Sequence, residues 1–246
     1  MKQRLQTVIA CAGIASRRAS AKLVEEGKVK VDGKVVFEKG FRVDLDKNKI
    51  YVNGKLLPQK EKKYYFLFHK PKNVISTARD THNRKIITDF FKDIQARLYP
   101  VGRLDRDTTG AIIVTNDGPL AHKLMHPSFE VEKEYMVLVK EALSSKALKE
   151  LRMGVKLDEK LTSPCRIKEY KTEKDKVFLS KGTIYCINLH EGRNRQIRRM
   201  FETCGTRVLE LKRVRYAGLS LKGVKQGEYR ELTEAEVEKL KTKLNS

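Results

Sequence analysis

A change in the character of the chain near residue 60 constrains its fold more than any other feature of the sequence. Before it, short helical patterns alternate with turn-centred strand patterns. After it, apolar runs of strand length dominate, at 64–68, 111–116, 134–139 and 183–189. Between the two parts lies the charged stretch PQKEKK (58–63), which is typical of a linker. We therefore predict a small domain at 1–60 and a larger one at 61–246.

The first domain is predicted to contain two short helices followed by short strands. Leu5, Val8 and Ile9 recur at helical spacing, and Ser16 is expected to cap a second helix that carries Arg17, Arg18 and Lys22. The pairs Asp32-Gly33 and Asn53-Gly54 are typical of two-residue hairpin turns. These elements together predict a small α/β module.

In the larger domain, helix signals are interspersed among the strand-like runs. Helices are expected to begin at Pro119, at Ser144 or Ser145, after a cap at Asn194, and at Thr233, where Glu236 completes a capping box. The pattern predicts a mixed α/β fold of the α+β class, in which helices flank a mostly antiparallel mixed sheet.

The charge of the chain points to a polyanionic partner. Lys and Arg number 53 against 31 Asp and Glu, which gives a formal net charge of +22. The 4 cysteines are widely spaced, so neither a zinc clamp nor a dense disulfide pattern is predicted. No apolar run is long enough to span a bilayer, and the amino end does not resemble a signal peptide. We expect a cytoplasmic protein that does not contact a membrane.

The segment GRLDRDTTG is the most pointed candidate for chemistry. Asp105 lies between Arg103 and Arg106, in a loop that Gly102 and Gly110 bracket. A carboxylate flanked by cations stays charged, which suits a nucleophile or a base. The alternative is an aspartate that only forms a turn. The loop also resembles the start of a calcium loop, but its twelfth position is Asn116 where a glutamate is needed.

Two further segments carry candidate residues. On the helix predicted after Asn194, Arg195, Arg198 and Arg199 project away from the apolar face, so that one of them can pair with an aspartate while others bind phosphates. The alternative is an arginine-rich amphipathic helix without a special role. Tyr135 begins a strand, where it can serve as a packing residue or as a stacking platform for a base.

In this order, GRLDRDTTG, TNDG, KEY and EGRNRQIRRMFE resemble the RsuA-like pseudouridine synthases, and especially the large-subunit ribosomal RNA pseudouridine synthase B group. The resemblance covers nearly the whole chain. It implies that Asp105 is the catalytic aspartate, Tyr135 the active-site tyrosine and Arg198 the arginine that pairs with the aspartate. The first sixty residues resemble the RNA-binding domain first described in ribosomal protein S-four. The residues expected to bind RNA are Arg17, Arg18, Lys22, Arg103, Arg106, Arg193, Arg195 and Arg199.

The resemblance implies isomerisation of a uridine to pseudouridine in 23S ribosomal RNA, near the peptidyl-transferase region. This reaction needs a flipped base and a carboxylate, so we expect no cofactor and no metal. The partner is then ribosomal RNA, and we expect a monomer. The alternative is a non-catalytic RNA-binding or ribosome-assembly factor. One departure concerns Lys70-Pro71-Lys72-Asn73, where the family commonly has KPxG; Asn best replaces Gly in a left-handed conformation.

Overall fold

The computed structural model describes residues 2–58, 61–170 and 182–244. It contains two compact units. The first comprises Met1–Tyr64 with Ile94–Leu98 and Asn116–Gly118, and the second comprises Tyr65–Asp93, Tyr99–Thr115 and Pro119–Ser246. Gln59 and Lys60, in the predicted linker, lie outside the described residues.

The amino-terminal unit combines two helices with short antiparallel strands. Ser16 Oγ accepts a hydrogen bond from Ala19 N at 3.1 Å, which confirms the predicted cap. Asp32 and Asn53 both have φ +49°, as two-residue hairpin turns require. The four-stranded sheet has the order β3-β2-β5-β6. The elements are β1 (Gln3–Arg4), α1 (Leu5–Cys11), α2 (Arg17–Glu25), β2 (Val29–Val31), β3 (Lys34–Val35), β4 (Arg42–Val43), β5 (Ile50–Val52) and β6 (Lys55–Leu56).

Beyond residue 64, helices flank a nine-stranded sheet. The strands described in this unit are β7 (Tyr65–Lys70), β8 (Tyr99–Pro100), β9 (Thr109–Thr115), β10 (Lys133–Val139), β11 (Lys156–Leu157), β12 (Lys160–Leu161), β13 (Arg166–Glu169), β14 (Thr183–Leu189), β15 (Val208–Tyr216), β16 (Leu219–Ser220) and β17 (Tyr229–Glu231). Strands β11 and β12 pair with each other in a separate two-stranded sheet, and the other nine form the large sheet. The helices are α3 (Gly118–Met125), α4 (Ser145–Met153), α5 (Gln196–Thr203) and α6 (Glu234–Lys243), with 3-10 turns at Ile87–Phe90 and Pro127–Phe129.

The order β13-β14-β10-β15-β9-β7-β17 makes the large sheet mixed. Its neighbours are antiparallel except β15 and β9, which run parallel and pair Lys212 with Thr109 and Arg213 with Gly110. A side chain at Gly110 would place its Cβ 2.2 Å from the Arg213 backbone oxygen, so only glycine permits this approach. The predicted fold class, a mostly antiparallel mixed sheet with flanking helices, is confirmed.

Among the residues that the structure describes, two hydrophobic clusters fill this unit. One gathers Val137 of β10 and Ile187 of β14 with Leu151 of α4 and Met200 of α5. The other contains Ile113 of β9 together with residues of α3 and α6. Within the described ranges, no helix is long and apolar enough to span a membrane.

In the second unit, the helix caps agree with the sequence in two cases and differ in one. Ser144 Oγ accepts from Ala147 N, and Thr233 and Glu236 form the predicted capping box. The cap predicted at Asn194 is wrong, because α5 begins only at Gln196 and its N-cap, Arg195, adopts a left-handed conformation with φ +48°. The Gln196 side chain instead accepts from Arg193 N at 2.8 Å and orders the turn before the helix.

Candidate active site

A cavity of about 590 Å³ lies in the second unit, next to the loop that leads into β9. Asp105 and Thr108 of this loop line it, as do Tyr135 of β10 and Arg213 of β15. Arg103, Arg193 and Arg195 are also part of the wall. The fold therefore brings together predicted residues that are far apart in the sequence.

Buried side chains hold the backbone of the Asp105 loop in place. Ser76 Oγ donates to Leu104 O at 2.8 Å and accepts from Leu104 N at 3.0 Å, immediately before Asp105. After it, Lys70 Nζ donates to Thr108 O at 2.8 Å. Because both anchors are buried, the loop has little freedom to move Asp105.

Lys70 is a cation whose partners are backbone carbonyls. Its Nζ also donates to Pro71 O at 2.9 Å and to Arg106 O at 3.5 Å. Burial lowers the pKa of the Lys70 ammonium to about 8, and the charges of Asp107 and Asp105 partly oppose that effect. The Lys70 ammonium thus holds the loop in place through hydrogen bonds to its backbone carbonyls.

The first motif keeps its turn although it lacks the usual glycine. Asn73 has φ +65°, the left-handed conformation that the sequence predicted for this position. Its N–H donates to Arg106 O at 2.8 Å, which ties the turn to the loop that carries Asp105. The departure from KPxG therefore leaves this turn in contact with the site.

Arg198 contacts Asp107 in the structure, whereas the sequence predicted a pair with Asp105. Its Nη2 lies 2.9 Å from Asp107 Oδ2, and its Nη1 donates to Val208 O at 3.2 Å. In the described part of the chain, no cation forms an ion pair within 4 Å of Asp105. Burial lowers the pKa of the Arg198 guanidinium, and Asp107 partly opposes this. Of the two carboxylates, Asp107, two residues beyond Asp105, is thus the one that forms an ion pair with α5.

The other predicted RNA-binding arginines of this region fall into two groups. Arg193 is held by Glu191 at 3.2 Å and by the carbonyls of Lys160 and Leu161, and Arg199 is held by Asp158 at 2.6 Å. The second group is exposed: Arg103, Arg106 and Arg195, of which Arg195 lies 3.7 Å from Asp107. Only the exposed group presents its charge largely to solvent.

Tyr135 stands half-buried where the pairing of β10 with β15 shifts register. It lies opposite Arg213, whose guanidinium carbon is 6.0 Å from the centre of the tyrosine ring. Nearby, Lys133 Nζ donates to Val131 O and His190 O, both at 2.9 Å. Burial, with the charge of Arg213, lowers the pKa of the Lys133 ammonium to about 8.

Arg213 is a residue of the cavity that the sequence did not single out. Only 2% of it is exposed, and its Nε donates to Ala111 O at 2.6 Å. The contact joins residues 102 positions apart, so no local pattern could have indicated it. A local signal was that Arg213 stands two residues after Leu211 in β15, so strand alternation places both side chains on the same buried face.

The predicted cations of the amino-terminal unit lie on α2. Arg17, Arg18 and Lys22 are exposed, and Lys22 forms an ion pair with Glu26 at 3.7 Å. An exposed pair at this distance contributes little to stability, so these side chains are available to a polyanion.

Comparisons with known proteins identify the family of the chain. A family model described as RNA pseudouridylate synthase matches residues 64–203, and one described as S4 domain matches residues 3–49. The chain is 48% identical over 239 residues to ribosomal large subunit pseudouridine synthase B of Bacillus subtilis (strain 168), covering 97% of this chain and 96% of that one. It is 37% identical to the protein of the same name from Salmonella typhi, covering 98% and 83%.

A solved structure agrees as well. A crystal structure of a pseudouridylate synthase superposes with a TM-score of 0.68 at 27% identity, covering 96% of this chain and 99% of that one. The family model covers more than half of the chain, and the sequence identity extends over nearly its full length. The chain therefore belongs to the RNA pseudouridine synthase family, and it is an enzyme that isomerises uridine in RNA rather than a non-catalytic RNA-binding factor.

Proposed function

We propose that this enzyme modifies a uridine of large-subunit ribosomal RNA near the peptidyl-transferase region, with Asp105 as its catalytic carboxylate. The observation that carries the proposal is Asp105 itself. It lines the cavity on a backbone that Ser76 and Lys70 fix, and no ion pair occupies its carboxylate among the residues described. A carboxylate held in this way is free to act on a nucleotide that enters the cavity.

The target base must leave its RNA helix to reach Asp105. In the proposal, the ring of Tyr135 supports the flipped uracil, because a base outside its stack is stabilised by an aromatic face. Arg198 acts through Asp107, whose ion pair holds the far side of the Asp105 loop against α5. Its position is therefore that of a residue that orients the loop of Asp105.

Exposed cations are proposed to hold the RNA backbone. Arg103, Arg106 and Arg195 lie beside the site, and Arg17, Arg18 and Lys22 lie on α2. Arg193 and Arg199 are proposed to contribute less to RNA binding, because intramolecular partners engage both guanidinium groups. A net charge of +22 favours a polyanionic substrate over any small neutral one.

The domain division at residue 60, a cytoplasmic location and a monomeric state are further parts of the proposal. The S4 match at 3–49 supports a separate RNA-binding module in the first part of the chain. The names of the Bacillus and Salmonella relatives support the choice of the large ribosomal subunit.

Pseudouridine mapping of ribosomal RNA tests the proposal. Cells that lack the protein should lose pseudouridine at one large-subunit position, and the wild-type gene should restore it. Asp105→Asn should not restore it, although the purified variant should bind the RNA as tightly as wild type or slightly more tightly, since a negative charge is removed beside phosphates. Asp46→Asn, an exposed aspartate of the first unit, is the matched control and should restore modification fully.

Two results would contradict the proposal. An unchanged pseudouridine map in the deletion strain would remove ribosomal RNA as the substrate. Modification by Asp105→Asn at a rate near that of wild type would remove Asp105 as the catalytic carboxylate.

A further inference from the structure

Arg213 is a buried cation that lacks a carboxylate partner. Only 2% of it is exposed, and in the described ranges no Asp or Glu oxygen lies within 4 Å of its guanidinium. Its Nε is satisfied by Ala111 O, but its Nη2 is buried without a hydrogen-bond partner. An unpaired charge in the interior is costly, so its retention calls for a compensating role.

The surroundings of Arg213 supply only part of that compensation. Its guanidinium carbon lies 4.4 Å from the ring centre of Tyr216 and 6.0 Å from that of Tyr135. Two aromatic rings attract a cation weakly compared with a carboxylate. The same cavity wall contains Thr108, whose buried hydroxyl also lacks a partner. Two unpaired polar groups, on Arg213 and Thr108, thus belong to the cavity that Asp105 and Tyr135 also line.

Burial also separates Arg213 from the cations that suit phosphate binding. Arg103 and Arg106 are exposed, as a contact to the RNA backbone requires. Arg213 lies in the cavity wall, opposite Tyr135 in the β10–β15 pair, so it is placed to meet the base rather than its phosphate. The base is the part of a flipped nucleotide that enters such a pocket most deeply.

The isomerisation places negative charge on that base. When the C1′–N1 bond breaks, its electron pair leaves with N1, and the charge spreads over N1, O2 and O4. The ring then turns, C5 bonds to C1′, and the proton displaced from C5 ends on N1, so no co-reactant is consumed. Attack by Asp105 at C1′, its addition to C6 and removal of a C2′ proton all pass through a uracil with excess negative charge.

We propose that Arg213 is a catalytic residue whose guanidinium stabilises the negative charge on uracil during the isomerisation, which rests on the function proposed for Asp105. A fixed, water-excluded cation is effective in this role because it needs no reorganisation as the charge develops. Rotation about the N3–C6 axis exchanges O2 with O4. One stationary guanidinium therefore faces a carbonyl oxygen both before and after the turn.

Single-turnover pseudouridine formation on transcribed large-subunit ribosomal RNA tests this role. Arg213→Gln keeps most of the side-chain volume and removes the charge, and should slow the reaction by about 100-fold to 1000-fold, as loss of an oxyanion donor does. Arg213→Lys should recover part of the rate. RNA affinity should stay within about twofold of wild type, because the ground-state uracil is neutral. Arg215→Gln is the control, since Arg215 is exposed and paired with Glu134 at 3.1 Å; its rate should match wild type.

Chemical rescue separates charge from shape. In Arg213→Ala, added guanidinium ion should restore a saturable part of the rate at concentrations far below denaturing ones, whereas urea, a neutral molecule of the same shape, should not. Equal rescue by both would overturn the proposal, as would a rate for Arg213→Gln near wild type. If Arg213→Ala fails to fold, the comparison of Arg213→Lys with Arg213→Gln decides: equal rates reject a role for the charge. Absence of pseudouridine with the wild-type enzyme would instead reject this RNA as its substrate.

Discussion

The basic side chains of α2 and those around the cavity differ in what holds them. Arg17 and Arg18 are exposed, and no carboxylate lies within 4 Å of either in the described ranges. Around the cavity, Lys70 is held by backbone carbonyls, Arg198 by Asp107 and Arg199 by Asp158. Exposed cations act through counterion release and are sensitive to salt, whereas held cations act through geometry. Net charge therefore predicts the role of the exposed cations on α2, but it does not predict the role of the held cations around the cavity.

Lys70→Met should give the largest effect, because it removes a buried ammonium that donates to three backbone carbonyls. Each buried carbonyl left without a donor costs about 1–3 kcal/mol, and relief of the buried charge offsets part of this, so we expect a loss of about 2 kcal/mol in unfolding free energy. The isomerisation rate should fall about 100-fold as the Asp105 loop shifts. Urea denaturation and single-turnover assays measure the two effects.

The matched control for that change is Lys72→Met, two residues further along. Lys72 is exposed and its contact with Glu210 at 3.4 Å is weak, so stability should change by less than about 0.5 kcal/mol. Equal losses of unfolding free energy in the two variants would show that the hydrogen bonds of Lys70 to backbone carbonyls do not stabilise the protein.

Arg198→Ala should have the next largest effect. Without its guanidinium, Asp107 loses its 2.9 Å partner and the Asp105 loop loses its contact with α5. We expect the single-turnover rate to fall about 10-fold to 100-fold, since a small misplacement of a catalytic group has this cost. Arg195→Ala removes the exposed partner of the same carboxylate, at 3.7 Å, and should lower the rate less than threefold in the same assay, about 0.6 kcal/mol. A larger loss for Arg195→Ala would reverse the roles of these two residues.

Combined replacement of Arg17, Arg18 and Lys22 by Ala should weaken RNA binding but leave the rate at saturating RNA unchanged. Each lost phosphate contact should flatten the slope of log affinity against log salt by about 0.7 to 0.9. Filter binding over a range of salt concentrations measures this slope. Replacing Lys146 and Lys149 of α4, also exposed, is the control and should leave the slope nearly constant. A wild-type slope in the α2 variant would mean that this helix does not contact RNA.

Lys133→Met should give the smallest effect, visible in the pH dependence of stability. The folded pKa of Lys133 is about 8 against an ordinary 10.5, so the unfolded chain binds more protons between these values. Wild-type stability should therefore rise relative to the variant as pH increases from about 8 to about 10, and the difference should be constant below about 7. Urea denaturation across this range measures it. Wild-type stability that falls relative to the variant as pH rises would contradict the lowered pKa.

The sequence predicted features that depend on neighbours along the chain. The cap at Ser16, the turns at Asp32 and Asn53 and the left-handed Asn73 each follow from local side-chain chemistry. The resemblance brought Asp105 and Tyr135 forward together, and the fold places both on one cavity.

Features set by tertiary contacts escaped prediction. Helix α5 begins later than predicted because the backbone is left-handed at Arg195, and the Gln196 side chain orders the turn before the helix. Asp107 rather than Asp105 pairs with Arg198, although both carboxylates adjoin Arg106 in the sequence. Arg213 joins strands more than a hundred residues apart. The spacing of residues along the chain does not show which of several possible tertiary contacts will form.

The large sheet consists of two antiparallel parts, and the parallel pairing of β9 with β15 joins them. Strands β13, β14, β10 and β15 lie on one side of this pairing, with Tyr135 on β10, while β9, β7 and β17 lie on the other, with the loop of Asp105 leading into β9. The joint has two residue pairs, and one of them depends on the missing side chain of Gly110. A change as small as Gly110→Ala would therefore act as a wedge, parting the two halves of the active site without altering any group that takes part in the reaction.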